Sequence, residues 1–402
     1  MRYILLIMLS LSLLTACTTV ANTPTSIPTQ PLLTCTPMLT SLPTPIPTPM
    51  PEWGVAFAVL NPEMVGEPIE GNRTLSLHLI RRDGSGLTPL TGGIEYVTDL
   101  TASPDGRYLL FSARREDTSG NHFADRGDLA HLYIVDVQSG EVFTLTSGIE
   151  YTEWQGGSWS PDGERIAFAA REANVRSDFE IEGFHYHLSI INRDGTDRRS
   201  LLEREGIIWN VAWSPAGEWI LFEQNGAIWL IHPDGSGLVK LADTPIEYHW
   251  RPYTAQPAWS PDGRRIAFVA PGVGRENNAD IFVVNADGSG LFNLTEHPAE
   301  DLQPTWSPDG QHIAFVTTRQ GHWGIYAITV DGNDLTSIFY SPDIGAYLPT
   351  WSPDGSQIAF VVGNSGIWKE QLFIVDWPGS SPRQLSKEYI GDRPVWVLMP
   401  AR

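Results

Sequence analysis

The sequence predicts an all-β fold: a closed β-propeller of four-stranded blades, seven in number. Three observations predict it. A five-residue phrase returns every 45 to 57 residues, as WSPDG at 159–163, 259–263, 306–310 and 351–355, WSPAG at 213–217 and ASPDG at 102–106. The residues between successive phrases divide into four short strand-like runs bounded by turn signals. No ten-residue amphipathic run of helical period occurs among them, so the repeat reads as blades of sheet rather than a helical solenoid.

The chain opens on a segment outside this pattern. Met1 and Arg2 form a minimal positive region, and Ile4 to Leu14 are apolar, too short a run to span a bilayer but the length of a signal-peptide core. The run ends in Leu14-Thr15-Ala16-Cys17, which resembles a bacterial lipoprotein signal. The resemblance implies removal of residues 1–16 and acylation of Cys17, palmitate included. The domain would then be anchored to a bacterial membrane and face the periplasm or the cell exterior. Two or more acyl chains on one residue anchor stably where one is marginal. An ordinary secretory peptide with a cysteine nearby is the alternative.

Residues 17–52 then read as a lipidated cysteine and a stalk. Between 18 and 51 there are ten threonines, nine prolines and no charged residue. Proline removes donors and favours extended polyproline, so this stretch builds no packed core. At about 3.1 Å per residue it would reach roughly 100 Å. Cys35 lies in the stalk and is the only other cysteine, so acylation of Cys17 excludes an intramolecular disulfide. The propeller, residues 53–402, must be stable through its own core, and at roughly 350 residues it is large enough.

The propeller is legible unit by unit. In the unit at Trp306, QPTW is a strand and SPDG a turn. HIAFVTT and WGIYAITV are the next strands, DGNDL is a turn and LTSIFY is the fourth strand. Strands with the I-A-F pattern begin near Val55, Tyr108, Ile166, Ile220, Ile266, Ile313 and Ile358, one per blade. The first unit is incomplete: Trp53 runs directly into Gly54-Val55-Ala56-Phe57, leaving no room for an inner strand and a turn. Trp396, in Pro394-Val395-Trp396, stands alone at the far end. The economical expectation is that 393–398 closes blade one and removes exposed sheet edges. Six blades with a separate N-terminal hairpin is the alternative.

Within the phrase, proline sets φ early in a turn, aspartate bonds back to nearby amides and glycine takes the left-handed closing position. Tryptophan fills space between one sheet and the next. DGSG at 83–86, 234–237 and 287–290 is likewise a hairpin turn. Both motifs are therefore read as scaffold. Repeats of the form P-x-W-S-P-D-G…I-A-F…D-G…L-T resemble the TolB-type, WD40-like propeller repeat, which is also found in prolyl-oligopeptidase-like proteins. The likeness covers about residues 53 to 402. It implies the fold strongly and the function weakly, since binding proteins, accessory domains and some enzymes share this repeat. TolB itself has six blades, so seven here is a departure that weakens transfer of its role.

Function on such a scaffold belongs to its loops. The turns SPDG and DGSG fall on one face. The other face carries the connections 61–74, 114–128 and 171–186 and the blade-to-blade crossings. The crossings repeat an acidic-aromatic phrase that makes Tyr96, Tyr151, Tyr248, His249, Trp250 and Arg251 the candidate contact residues; filling gaps between blades is the plainer reading of these side chains. His122, Asp125 and Asp128, with His185 and His187, are weaker candidates for a divalent metal, since loop Asp and His are usually only solvated. No H-E-x-x-H or paired-cysteine motif occurs, and Gly156-Gly157-Ser158-Trp159-Ser160 misses the G-x-S-x-G elbow. No cofactor is expected. The net charge of −21 argues against anionic partners in general and nucleic acid in particular, and permits cationic or neutral ones. The leading expectation is a non-enzymatic cell-envelope binding or scaffold protein whose partner is an envelope or extracellular protein or glycan. A metal-assisted enzyme acting on carbohydrate or peptide, and an accessory or sensor subunit, are the alternatives.

Overall fold

The computed structural model describes residues 52–60, 74–92, 94–114, 131–146, 153–175, 181–244, 255–272, 278–363, 370–387 and 393–400. Residues 1–51, read from the sequence as signal and stalk, lie outside them. Among the described residues there are 28 strands and no helix, arranged as seven four-stranded antiparallel blades. We label the strands of each blade a to d from the axis outward. Blade 6 is representative: a is Asp301–Trp306, b His312–Thr317, c Gly324–Thr329 and d Leu335–Phe339. The a strands of successive blades lie against one another and so line the axis.

Blade 1 is assembled from both ends of the domain. Val395–Leu398 pairs antiparallel with Trp53–Leu60, bringing Val397 opposite Gly54 and Trp396 opposite Val55. Blades 1 and 2 are further joined where Thr74 and Leu75 pair with Glu95 and Ile94.

The core is distributed between the blades. The seven phenylalanines of the b strands (Phe57, Phe111, Phe168, Phe222, Phe268, Phe315 and Phe360) are each fully buried. They belong to apolar clusters that bridge consecutive blades. In one, Ala267, Ile281 and Val283 of blade 5 meet Trp306, Ile313 and Phe315 of blade 6. Burying one such side chain stabilises by about 1.5–3 kcal/mol. The motif tryptophans also fasten the seams by hydrogen bonds. The indole Nε1 of Trp259, Trp306, Trp351 and Trp396 donates to the carbonyls of Ala212, Ala258, Thr305 and Thr350 on the preceding blade, at 3.0–3.2 Å.

The SPDG turn contains one element the sequence reading missed. Aspartate accepts an amide as expected: Gln311 N–H donates to Asp309 at 3.0 Å, and Gly310 takes φ 67°. The serine, however, has a double role. Ser307 Oγ donates to Asp309 at 2.5 Å and accepts the N–H of His312 at 2.9 Å. In WSPAG the serine bond survives, from Trp219 N–H to Ser214 Oγ at 3.0 Å, although Ala216 offers no carboxylate.

Two expectations about the loop-rich face are corrected. The segment 171–186 is largely sheet, because strands b and c of blade 3 extend over Arg165–Val175 and Ile181–Asn192 and pair along that length. The alternation in FHYHLSII carries the pairing outward. Residues 94–96, read from the sequence as a blade-to-blade crossing, are already the start of strand a of blade 2, Ile94–Ala102, with Ile94 and Glu95 also paired to blade 1.

Candidate functional site

Most of the sequence-predicted site residues lie outside the described residues: the lipidation candidate Cys17, the metal candidates His122, Asp125 and Asp128, and the contact candidates Tyr151, Tyr248, His249, Trp250 and Arg251. Tyr96 falls on strand a of blade 2. His185 and His187 fall on strand c of blade 3, where the ladder sets them opposite Glu172 and Ala170. His187 is buried, with Nδ1 4.0 Å from Glu203 Oε2. Among the described residues, no three His, Cys, Asp or Glu side chains are arranged to hold a metal.

The axis holds a second site that the sequence reading passed over. Three residues before the repeat tryptophan, or before Ala102 in blade 2, the backbone turns left-handed: φ is 58° at Asp99, 50° at Asn210, 45° at Gln256, and 55° at Gln303 and Leu348. The a–b ladder slips register at the same place in blades 2, 3, 4, 6 and 7. Each such bulge costs about 1–2 kcal/mol for a residue with a Cβ. Side chains from the preceding blade hold two of them. Gln256 Oε1 accepts the N–H of Gln303 at 2.8 Å, and Gln303 Oε1 accepts the N–H of Leu348 at 2.7 Å. In blade 4 the bulge residue turns the other way: Asn210 Nδ2 donates to Glu223 Oε2 at 3.0 Å. That oxygen also accepts the N–H of Ala255 at 2.8 Å.

Glu223 is a buried carboxylate on strand b, where the corresponding residues of blades 5 to 7 are Val269, Val316 and Val361. Burial pushes its pKa up, against the opposing hydrogen bonds from Asn210 and Ala255. Four of the bulge residues, Asn210, Gln256, Gln303 and Leu348, line a cavity of about 160 Å³ on the axis together with Pro257, Pro304, Pro349 and Arg393. The repeated Gln-Pro-x-Trp at 256–259 and 303–306 was its signal in the sequence.

On the loop-rich face, blades 5 and 6 share a buried polar network. Asp301 is fully buried and bonds Arg319 Nη2 at 2.8 Å. Burial raises its pKa, opposed by the Arg319 charge and by the hydroxyls of Thr317 and Thr295. Asp280, also buried, accepts from Asn278 Nδ2 at 3.1 Å and Asn293 Nδ2 at 2.7 Å. Asn278 donates as well to the carbonyl of His297 at 2.7 Å. These bonds tie the crossing at 294–300 to both blades, so both carboxylates serve the scaffold.

A family model described as the TolB β-propeller domain matches residues 173–398. The Tol-Pal system protein TolB of Anaeromyxobacter dehalogenans is 31% identical over 261 residues, covering 61% of this chain and 51% of that protein. An uncharacterized peptidase of Bacillus subtilis, YuxL, is 28% identical over 178 residues, covering 38% of this chain and 25% of that protein. The chain thus spans about half, or less, of the length of these curated relatives. Among solved structures, the β-propeller domain of the Trilobed protease from Pyrococcus furiosus superposes with a TM-score of 0.57 at 13% identity, covering 83% of this chain and 94% of that one. That likeness is one of fold alone. By the extent of the family match and the repeat that carries it, this chain belongs to the TolB β-propeller family.

Proposed function

We propose that this chain is a cell-envelope scaffold that binds another envelope or extracellular protein, or a glycan, through the loop-rich face of its propeller and performs no chemistry itself. The observation that carries the reading is the kinship of the propeller with a Tol-Pal system protein. The same reading takes Cys17 as the lipid anchor, the domain facing the periplasm or the cell exterior, and Tyr248, His249, Trp250 and Arg251 as the densest part of the contact surface, with Tyr96 and Tyr151 beside it. Aromatic and arginine side chains concentrate interface energy, at about 2 kcal/mol or more for an anchor. Replacing Tyr248, Trp250 and Arg251 together by alanine should abolish crosslinked partner capture in cells while leaving the melting temperature unchanged. Undiminished capture by that variant would remove the proposed face. Loss of acyl-probe labelling in Cys17→Ala tests the anchor.

A second reading, a metal-assisted enzyme acting on peptide or carbohydrate, is favoured by the kinship with a protein described as a peptidase. It needs His122, Asp125 and Asp128 to join His185 and His187. Elemental analysis separates the two readings: a stoichiometric divalent metal lost in the His122→Ala/His185→Ala variant supports the enzyme. An accessory or sensor subunit would share the scaffold's binding face and differ in having a catalytic partner on a separate chain.

A further inference from the structure

We propose that the axial cavity is a binding site for a carboxylate group, independent of the loop-rich face. The argument begins with the orientation of two side-chain amides. A carboxamide ends in one acceptor oxygen and one NH2 with two donor hydrogens. Gln256 and Gln303 each commit the oxygen to the backbone N–H of the next blade. That bond settles which end is which, so the NH2 group of each remains uncommitted, and both residues line the cavity. Neither donates to another described residue. Two neighbouring blades therefore present donor pairs at the same level of the axis, both on left-handed backbone, and the amide of Gln303 is pinned in that conformation by Gln256. Arg393, two residues before the strand that closes blade 1, adds a positive charge to the wall.

The remaining wall selects against a bare, strongly hydrated ion. Pro257, Pro304, Pro349 and Leu348 line it, and proline carries no N–H to offer. Glu223 is occupied behind Asn210, bonded to Asn210 and to the Ala255 N–H rather than to the cavity. The volume of about 160 Å³ is several times what a single water requires and smaller than a drug-sized pocket. Donors for an oxyanion beside an apolar wall suit a carboxylate on a short apolar stem: a free small carboxylic acid or the C-terminus of a peptide.

The test is calorimetric titration of the full-length protein with acetate, with triglycine and with triglycine amide. Acetate and triglycine should bind and the amide should not. Tighter binding of triglycine than of acetate identifies a peptide C-terminus as the ligand, and equal binding a free small acid. Gln303→Glu is the informative variant, because it keeps an oxygen for the Leu348 N–H while replacing the donor by a negative charge. It should melt near the wild-type temperature and lose binding. Arg393→Gln should weaken binding by about tenfold or more, as expected for loss of a charge-assisted hydrogen bond. Absence of binding by both carboxylates, equal binding of triglycine and its amide, or unchanged binding by Gln303→Glu would each overturn the proposal.

Discussion

The seam between blades 6 and 7 and the seam between blades 1 and 2 solve one problem with different parts. At the first, Trp351 is buried against Ala314, Val316 and Ile325 of blade 6, and its indole donates to Thr305 O at 3.2 Å. At the second, the repeat offers only Ala102 in place of the tryptophan. Trp53, from the b strand of blade 1, instead lies against the turn glycine Gly106: a Cβ there would come within 2.6 Å of its ring. Backbone bonding replaces the indole bond, with Leu398 N–H donating to Gly106 O at 2.9 Å. Gln138 Nε2 adds a bond to Leu398 O at 3.2 Å. A repeat carries its own fastening from blade to blade. Where the two ends of the ring meet, the fastening comes from segments more than 250 residues apart in the chain, as in the bond from Gln138 to Leu398.

That contrast can be broken most severely at the closure. Deleting 393–402 removes a strand and Trp396 and opens the edge of Trp53–Leu60. The loss should exceed the roughly 3–5 kcal/mol carried by one buried aromatic, and differential scanning calorimetry should show a lower, broader transition. An unchanged melting temperature would show that the C-terminal strand is dispensable. Trp306→Ala, at an ordinary seam, should cost about 3–5 kcal/mol in chemical denaturation. A loss below about 1 kcal/mol would mean the seam repacks without it.

Two glycines of the same turn sharpen the comparison further. Gly106 and Gly310 have φ of 71° and 67°, but a Cβ on Gly310 meets nothing closer than Pro261 Cδ at 3.7 Å. Gly310→Ala should therefore cost only the backbone strain, about 1–2 kcal/mol. Gly106→Ala should add about 1–3 kcal/mol of overpacking against Trp53 and Leu398. Equal losses in the two variants would show that the closing seam yields as readily as open solvent.

The smallest effect expected is on acidification, and it centres on the seam between blades 7 and 1, where Arg82 Nη1 meets Asp354 Oδ2 at 3.0 Å. Burial would raise the Asp354 carboxyl. Hydrogen bonds from the Ser352 and Ser356 hydroxyls, the Ser356 N–H and Arg82 outweigh it and hold the pKa at about 2. The hydroxyls of Ser160 and Ser260 likewise lower Asp162 and Asp262. A depressed folded pKa gives stability that is present above the unfolded value near ~4 and is lost as pH falls toward the folded value. Melting temperature should drop between about pH 4 and 2, and Asp354→Asn should flatten that drop. Glu223 has the opposite sign: its raised pKa means that stability is gained as pH falls through it, so Glu223→Gln should be neutral or stabilising at pH 7. A pH-independent melting curve for the wild type would remove the electrostatic role of the turns.

The recurrence of Trp-Ser-Pro-Asp-Gly and the period-two runs after it determined the all-β class and the seven-bladed ring, because turn chemistry and strand alternation are local and repeat with the sequence. The same locality made the turn's glycine and aspartate roles legible at Gly310 and Asp309. Tertiary structure decided what depends on neighbours from other blades: that Gln256 reaches Gln303 and Gln303 reaches Leu348, that Glu223 is buried under Asn210, and that Trp53 stands against Gly106. It also turned the presumed loop around His185 and His187 into extended sheet, since pairing continues outward wherever two alternating segments face each other. A strand's own residues state which side chains alternate. Which groups converge on the axis depends on how seven separate inner strands are brought side by side, and that contact is made across about 45 residues of intervening chain, as in the 45 between Gln303 and Leu348.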